Sequence, residues 1–309
     1  MSSVSLPDEV RAACTWVAER ARHVRVVESE IEGYAEDLAR DAPVEPAWEA
    51  MASGDLEVAA AFAICMNAIN FGSGWWPTIR KRPGLSGYGT MTVGVRARFG
   101  AHGHWTAEEL TAMETGAIAW VVGQDPDHPL MAEFAAALRD VGAHLLADHD
   151  GRYLDVVEGV GTVPDLAARF AGWDAFADVS LYEGREVPFY KRAQLAAADL
   201  QRAGVADLPG VERLTAFADN LVPHVLRVDG VLRLDPDLTA AIESEELLPH
   251  DGSPQEVELR AAAIHAVELL SAATGGALSP AEIDAALWNR GAAPRYKLRP
   301  RPRSRNTAY

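Results

Sequence analysis

Ser253-Pro-Gln-Glu-Val-Glu-Leu-Arg-Ala-Ala-Ala-Ile-His-Ala-Val-Glu-Leu-Leu-Ser271 reads as one long helix. Ser253 at the cap, proline just inside it and Glu256 three residues on match a capping box, in which hydroxyl and carboxylate each satisfy an orphan amide of the first turn. The run from Glu258 to Ser271 is rich in alanine and carries apolar residues at helical spacing. The same box recurs in Thr106-Ala-Glu-Glu109 and Ser279-Pro-Ala-Glu282, Asp235-Pro236 adds a fourth start, and Glu57 to Met66 is a second alanine-rich run. An all-α fold is predicted. Two stretches differ in texture. Asn70 to Tyr88 crowds glycines, prolines, two tryptophans and Arg80-Lys81-Arg82 into a loop with room for a short hairpin. Asp178 to Pro188 alternates weakly around Glu183-Gly184, as two short strands would. At most a short β-hairpin is therefore expected beside the helices.

At 309 residues, 49% hydrophobic and 24% charged, the chain can bury a core without metal or disulfide staples. We expect a single globular helical domain over residues 1–309, divisible into two lobes, 1–150 and 151–309. Met1 to Pro7 lacks the basic and then apolar pattern of a secretory signal, and no run approaches the roughly 20 apolar residues of a membrane span. The expected setting is the cytoplasm, and the expected state a monomer. Cys14 and Cys65 are too few for a disulfide framework and too far apart for a CxxC site, so they read as buried fillers. A formal charge of −17 argues against nucleic-acid polymers, whose binding needs a basic face, but leaves room for a small anion held by local cations. The nine histidines show no HxxxH or HExxH spacing; His224 and His265 read as satisfied helix residues, and no metal is implied.

Leu208-Pro-Gly-Val211, followed by a segment carrying Phe217-Ala-Asp219 that reads as helical, is similar to the hairpin and helix of helix-hairpin-helix DNA glycosylases, which place an aspartate near a ribose C1'. It is also a common turn. Taken in order, Phe189-Tyr-Lys-Arg-Ala-Gln194, Ala198-Asp199, Phe217-Ala-Asp219, Val222-Pro223 with Val225-Leu226, Glu256-Val-Glu-Leu-Arg260 and Leu287-Trp288 resemble the queuosine salvage protein family. Ser180-Leu-Tyr-Glu-Gly184, Ser86-Gly-Tyr88, Asn70-Phe71 and Arg303-Ser-Arg305 through Tyr309 extend the resemblance over nearly the whole chain. It implies hydrolysis of queuosine 5'-phosphate to queuine and ribose 5-phosphate, without a cofactor, on an all-helical fold related to DNA glycosylases. The chain departs from the family in places. A histidine often follows the position of Trp48, where this chain reads Glu-Ala-Met-Ala52; Ala285 stands where an aromatic is favoured, and Asn289 where an acid is usual. The loop from Phe71-Gly-Ser-Gly-Trp-Trp76 to Arg82 is longer and more basic. These departures bear on base identity more than on reaction class.

Breaking an N-glycosidic bond builds positive charge on the sugar, so a fixed carboxylate beneath it stabilises the transition state more than the ground state. Asp219 and Asp284 are the candidates, one to support the sugar and one to handle water, in either order. The bland alternatives are a solvent-facing helix residue for Asp219 and, for Asp284, an early-turn carboxylate complementing the helix dipole, worth a few tenths to about 1 kcal/mol. Lys191 could bind the phosphate or tune a carboxylate. Lys191 and Asp199 project about 80° apart on a helix, where a structural ion pair is the alternative. Glu256 and Arg260, an i,i+4 pair, are expected only to staple their helix. Phe71, Trp75, Trp76 and Phe217 could sandwich a base, although core packing is the commoner fate of any single aromatic. Asn70 and Asn289 complete the candidate substrate contacts. Arg295 to Tyr309 carries five arginines and one lysine; we expect it to dock, with Arg303 or Arg305 meeting a 5'-phosphate through paired hydrogen bonds. The competing readings are a glycosidase for another 7-deazapurine or purine nucleotide, a catalytically silent nucleotide-binding protein, and a DNA glycosylase, which the charge disfavours.

Overall fold

The structure is a computed structural model that describes residues 4–40, 54–248 and 252–309; Trp48 and Ala52 lie outside the described residues. Among them the helices are α1 (Leu6–Ala18), α2 (Ile31–Arg40), α3 (Leu56–Ala68), α4 (Gly87–His102), α5 (Ala107–Thr111), α6 (Thr115–Val122) and α7 (Pro129–Asp148). There follow α8 (Val163–Ala171), α9 (Lys191–Arg202), α10 (Leu221–Val228), α11 (Pro236–Glu243), α12 (Pro254–Ala273), α13 (Pro280–Arg290) and α14 (Pro294–Lys297). The strands are β1 (Val24–Val26), β2 (Val179–Tyr182), β3 (Arg185–Pro188) and β4 (Leu232–Leu234).

The caps act largely as the sequence implies. The boxes at Thr106–Glu109 and Ser279–Glu282 are complete in both directions, and Asp235 starts α11 by accepting from the Leu238 amide. At Ser253 only the forward half forms: the hydroxyl accepts from the Glu256 amide, while the Glu256 carboxylate is buried and lies 3.7 Å from Arg260. The hairpin also forms where the alternation places it. β2 and β3 pair with Tyr182 opposite Arg185, and Glu183 and Gly184 both take positive φ, 48° and 79°, the backbone that lets two-residue turns follow the strand twist.

Two expectations need correction. The loop from Asn70 holds no hairpin; it contains a 3₁₀ turn at Ser73–Trp75 and runs irregularly to Ser86, whose hydroxyl caps α4. A second two-stranded sheet exists, β1 with β4, so the β content exceeds one hairpin. It closes beside His23 and Asp235, whose side chains meet at 2.5 Å.

α12 is buried around almost its full circumference because α1, α2, α10 and α13 pack against it. α3 is similarly enclosed by α4, α7 and α9. One apolar cluster runs from Leu6 in α1 to Tyr296 in α14. The basic C-terminal stretch docks as expected. The Leu248 amide donates to the Arg303 carbonyl, Arg192 to the Ala308 carbonyl and the Gly72 amide to the Tyr309 main-chain oxygen. Gly74 permits this seating, since a Cβ there would stand 2.3 Å from the Ser304 carbonyl oxygen. Cys14 and Cys65 are free, buried thiols. Among the described residues no helix is long and apolar enough to cross a membrane.

Candidate active site

The chain from Leu214 to Asn220 holds the candidate site together, and it is not helical. After Gly210 (φ 98°) and a 3₁₀ turn at Val211–Arg213 the backbone is irregular until α10 begins at Leu221, so the helix expected through Phe217-Ala-Asp219 is absent. Pro223 supplies the reason. Proline fits the first turn of a helix, where its missing N–H is no loss, but inside one it clashes with the carbonyl four residues back. A helix already running at Phe217 would put that clash at Asp219.

Three buried side chains tie this segment to three helices. Gln194 of α9 accepts from the Thr215 amide at 3.0 Å and donates to the Thr215 hydroxyl at 2.9 Å. Asp284 of α13 accepts from the Phe217 amide at 2.8 Å. Arg260 of α12 donates through Nε to the Ala218 carbonyl at 3.1 Å. The segment ends on Asp219, whose Oδ1 accepts from the amides of Leu221 and Val222 at 2.6 and 3.2 Å, at the start of α10. That position favours negative charge, because orphan amides and the helix dipole both point at it.

Arg260 has a larger role than a helix staple, which corrects the expectation for its pair with Glu256. Its guanidinium donates to both carboxylate oxygens of Asp178, at 2.9 and 2.7 Å, and lies 3.9 Å from the Phe189 ring centroid and 4.8 Å from that of Tyr309. Asp178 also accepts from the Lys191 amide at 3.0 Å, which starts α9. The preceding residue, Tyr190, is held at φ 49°, a costly conformation for a bulky side chain and one the surrounding contacts must enforce. One buried ion pair thus fixes both the Ala218-Asp219 backbone and the base of the Lys191 side chain.

The electrostatics join Asp219, Asp284 and Lys191 into one cluster. Burial, and then the charge of Asp219, push the Asp284 carboxyl up to about 7, against the opposing pull of the Phe217 amide and of Lys191. Burial brings the Lys191 ammonium down to about 8, with Asp219 resisting; its Nζ donates to the Asn70 carbonyl at 3.1 Å. Arg301 also feels the Asp219 charge, and donates to the Gly291 carbonyl at 3.2 Å. One carboxylate fixed by amide donors, a second poised between its two protonation states and a buried cation are a set that can support a developing sugar cation and move a proton.

The remaining candidates divide. Phe217 is buried beside Asp284 and Asn70 lies against Lys191. Asn289, further along α13, has a buried amide nitrogen with no hydrogen-bond partner among the described residues. Asp199 binds Asn67 and Arg202, at 2.8 and 2.9 Å, rather than Lys191. Phe71 and Trp75 belong to the core, Phe71 edge-on to Phe134 with the Arg192 guanidinium 4.9 Å from its centroid. Arg303 is engaged by the Glu245 carbonyl at 2.7 Å, while Arg305 is exposed. Asp178, Gln194 and Arg301 were not singled out individually by the sequence. Gln194 and Arg260 lay within quoted motifs, whereas Asp178 carried no local signal.

The family described as queuosine salvage protein matches residues 50–308. A protein of Sphaerobacter thermophilus described as queuosine 5'-phosphate N-glycosylase/hydrolase is 32% identical over 89% of this chain and 90% of its own. One of Dictyostelium discoideum, with the same description, is 26% identical over 97% of this chain and 98% of its own. A Mus musculus protein so described is 31% identical over about half of each chain, 52% and 50%. With a match across most of its length, and the ordered motifs folded around one carboxylate cluster, the chain belongs to the queuosine salvage protein family.

Proposed function

We propose that the protein hydrolyses the N-glycosidic bond of queuosine 5'-phosphate, releasing queuine and ribose 5-phosphate. The observation that carries this reading is the pair of unlike carboxylates on one rigid frame, Asp219 fixed by two amides and Asp284 buried and raised to about 7. The relatives' shared description names the same substrate.

In this reading Asp219 supports the sugar, because its charge is held in place and its attraction grows as C1' becomes cationic. Asp284 handles water. It takes a proton from the attacking water as the water oxygen bonds to C1', the C1'–N bond breaks with its electron pair leaving on the base, and that proton passes on to the base nitrogen, so that neutral queuine departs and the carboxylate is restored. A 7-deazaguanine has carbon where ordinary purines carry N7, so protonation there cannot help the base depart, and catalysis falls on the sugar side. Lys191, Arg301, Arg303 and Arg305 are the cations for the 5'-phosphate; the first three each hold one main-chain carbonyl, while Arg305 is exposed. We read the enzyme as a cytoplasmic monomer.

The unpartnered Asn289 amide, at a position where the family usually has an acid, favours a second reading of base specificity, in which another 7-deazapurine nucleotide is the better substrate. Incubating the purified protein with a panel of nucleosides and 5'-nucleotides, and detecting free base by mass spectrometry, tests both. Queuosine 5'-phosphate should be cleaved fastest and its nucleoside slower. Release of base from none of them would end the proposal.

A further inference from the structure

A second charged feature lies outside the carboxylate cluster and shares no residue with it. Between the end of α10, strand β4, helix α11 and Arg299 there is a cleft of about 300 Å³. Arg227, Arg233 and Arg299 line it, and Glu243 is the one acid among its described lining residues. In a protein of net charge −17, three cations gathered against one carboxylate run against the average.

Their partners, or lack of them, sharpen the point. Arg227 is anchored, donating to the Pro300 carbonyl at 3.0 Å. Arg233 and Arg299 are exposed, and among the described residues their side chains make no hydrogen bond or ion pair. Arg233 also stands directly opposite Arg25 in the β1–β4 register, an exposed arginine with no such partner either. Like charges facing each other across a strand pair are destabilising. Guanidinium groups with free forks around a concavity are the arrangement that binds phosphate oxygens, two donors at a time. The volume is at the small end for ligand sites, enough for a sugar phosphate and too little for a large modified nucleotide.

We propose that this cleft is a second anion site, separate from the carboxylate cluster, for a small phosphate-bearing ligand, either a phosphate monoester or the free phosphate ion. Arg227 is its fixed donor, Arg233 and Arg299 close over the anion, and Glu243 limits the site to ligands able to outbid one carboxylate.

The test is calorimetric titration of the full-length protein with inorganic phosphate and with ribose 5-phosphate, at constant ionic strength, for the parent and for Arg233→Ala/Arg299→Ala. Arg299→Glu serves as a second variant. Both positions are exposed, so melting midpoints should match the parent. We expect each variant to lose one phosphate-binding step, or to bind at least ~10-fold more weakly, with KM for the nucleotide substrate unchanged. Tighter binding of ribose 5-phosphate than of inorganic phosphate identifies a monoester site, and equal binding a site for the ion. Isotherms identical in parent and variants, or no phosphate binding by the parent, overturn the proposal.

Discussion

Asp284 is where sequence, packing and chemistry meet in one side chain. Its carboxyl has an ordinary value of 3.8 and sits near 7 in the fold, because burial and Asp219 disfavour its charge. A raised value means that the stabilisation tied to its proton is complete below about pH 4 and is lost as pH rises through 7. Asp284→Asn should therefore flatten the dependence of melting midpoint on pH between 5 and 8, as read by scanning calorimetry. Equal slopes in variant and parent would place Asp284 outside a buried charge cluster. The same groups shape the rate. Asp284 must lose its proton to act on water and Lys191, lowered to about 8, must keep its own, so kcat should follow a narrow bell between about 7 and about 8. The rising limb belongs to Asp284. A profile flat from pH 5.5 to 8.5 would contradict the assigned roles. In the proposed mechanism both carboxylates face the sugar, so a cationic iminoribitol 5'-phosphate should inhibit far more strongly than queuine. Equal inhibition would make them recognition elements.

Among the elements, the frame around residues 214–219 matters most. Arg260→Met would leave Asp178 buried without its cation, a loss of about 3–5 kcal/mol for a broken buried pair. It would also free the Ala218 carbonyl and shift Asp219, so kcat should fall about 100-fold with little change in KM, since small misplacements of a catalytic group have effects of that size. Adding Asp178→Asn should recover part of the stability and none of the turnover; full recovery of turnover would remove Arg260 as a positioning residue. Little of this frame was legible in the sequence. Helix starts were, because a cap is a local pattern, and so was the turn at Glu183-Gly184. The β1–β4 sheet was not, since three-residue strands paired across some two hundred positions leave no periodicity to read. Glu256 and Arg260 were misjudged because i,i+4 spacing looks the same on a solvated face as in a core. The Phe217-Ala-Asp219 segment was read as helical although Pro223 was there to limit the helix. Asp219 and Lys191 stand out as candidates only within the ordered series of motifs, and Asp284, outside it, only as an acid three residues before Leu287.

At the scale of the whole molecule, charge decides what can approach. A net charge of −17 repels a polyanion as a whole, although Arg299 and Arg305 of the basic C-terminal stretch are exposed. We expect no retardation of tRNA in a gel-shift assay at 0.15 M salt with micromolar protein, and a stable complex there would mean that the modified base is taken from the polymer. The fold wraps α9, α10, α12 and α13 about one short segment. The most direct test of this account is the turnover of queuosine 5'-phosphate by the parent and by Asp219→Asn, read as queuine released. Asparagine can still accept the Leu221 and Val222 amides and caps helices as well as aspartate does, so the substitution removes the charge and little else. The account predicts release by the parent and a kcat/KM at least about 100-fold lower in the variant, equivalent to roughly 2.7 kcal/mol of transition-state stabilisation. Equal turnover by a well-folded Asp219→Asn protein, or no release of queuine by the parent, would contradict it.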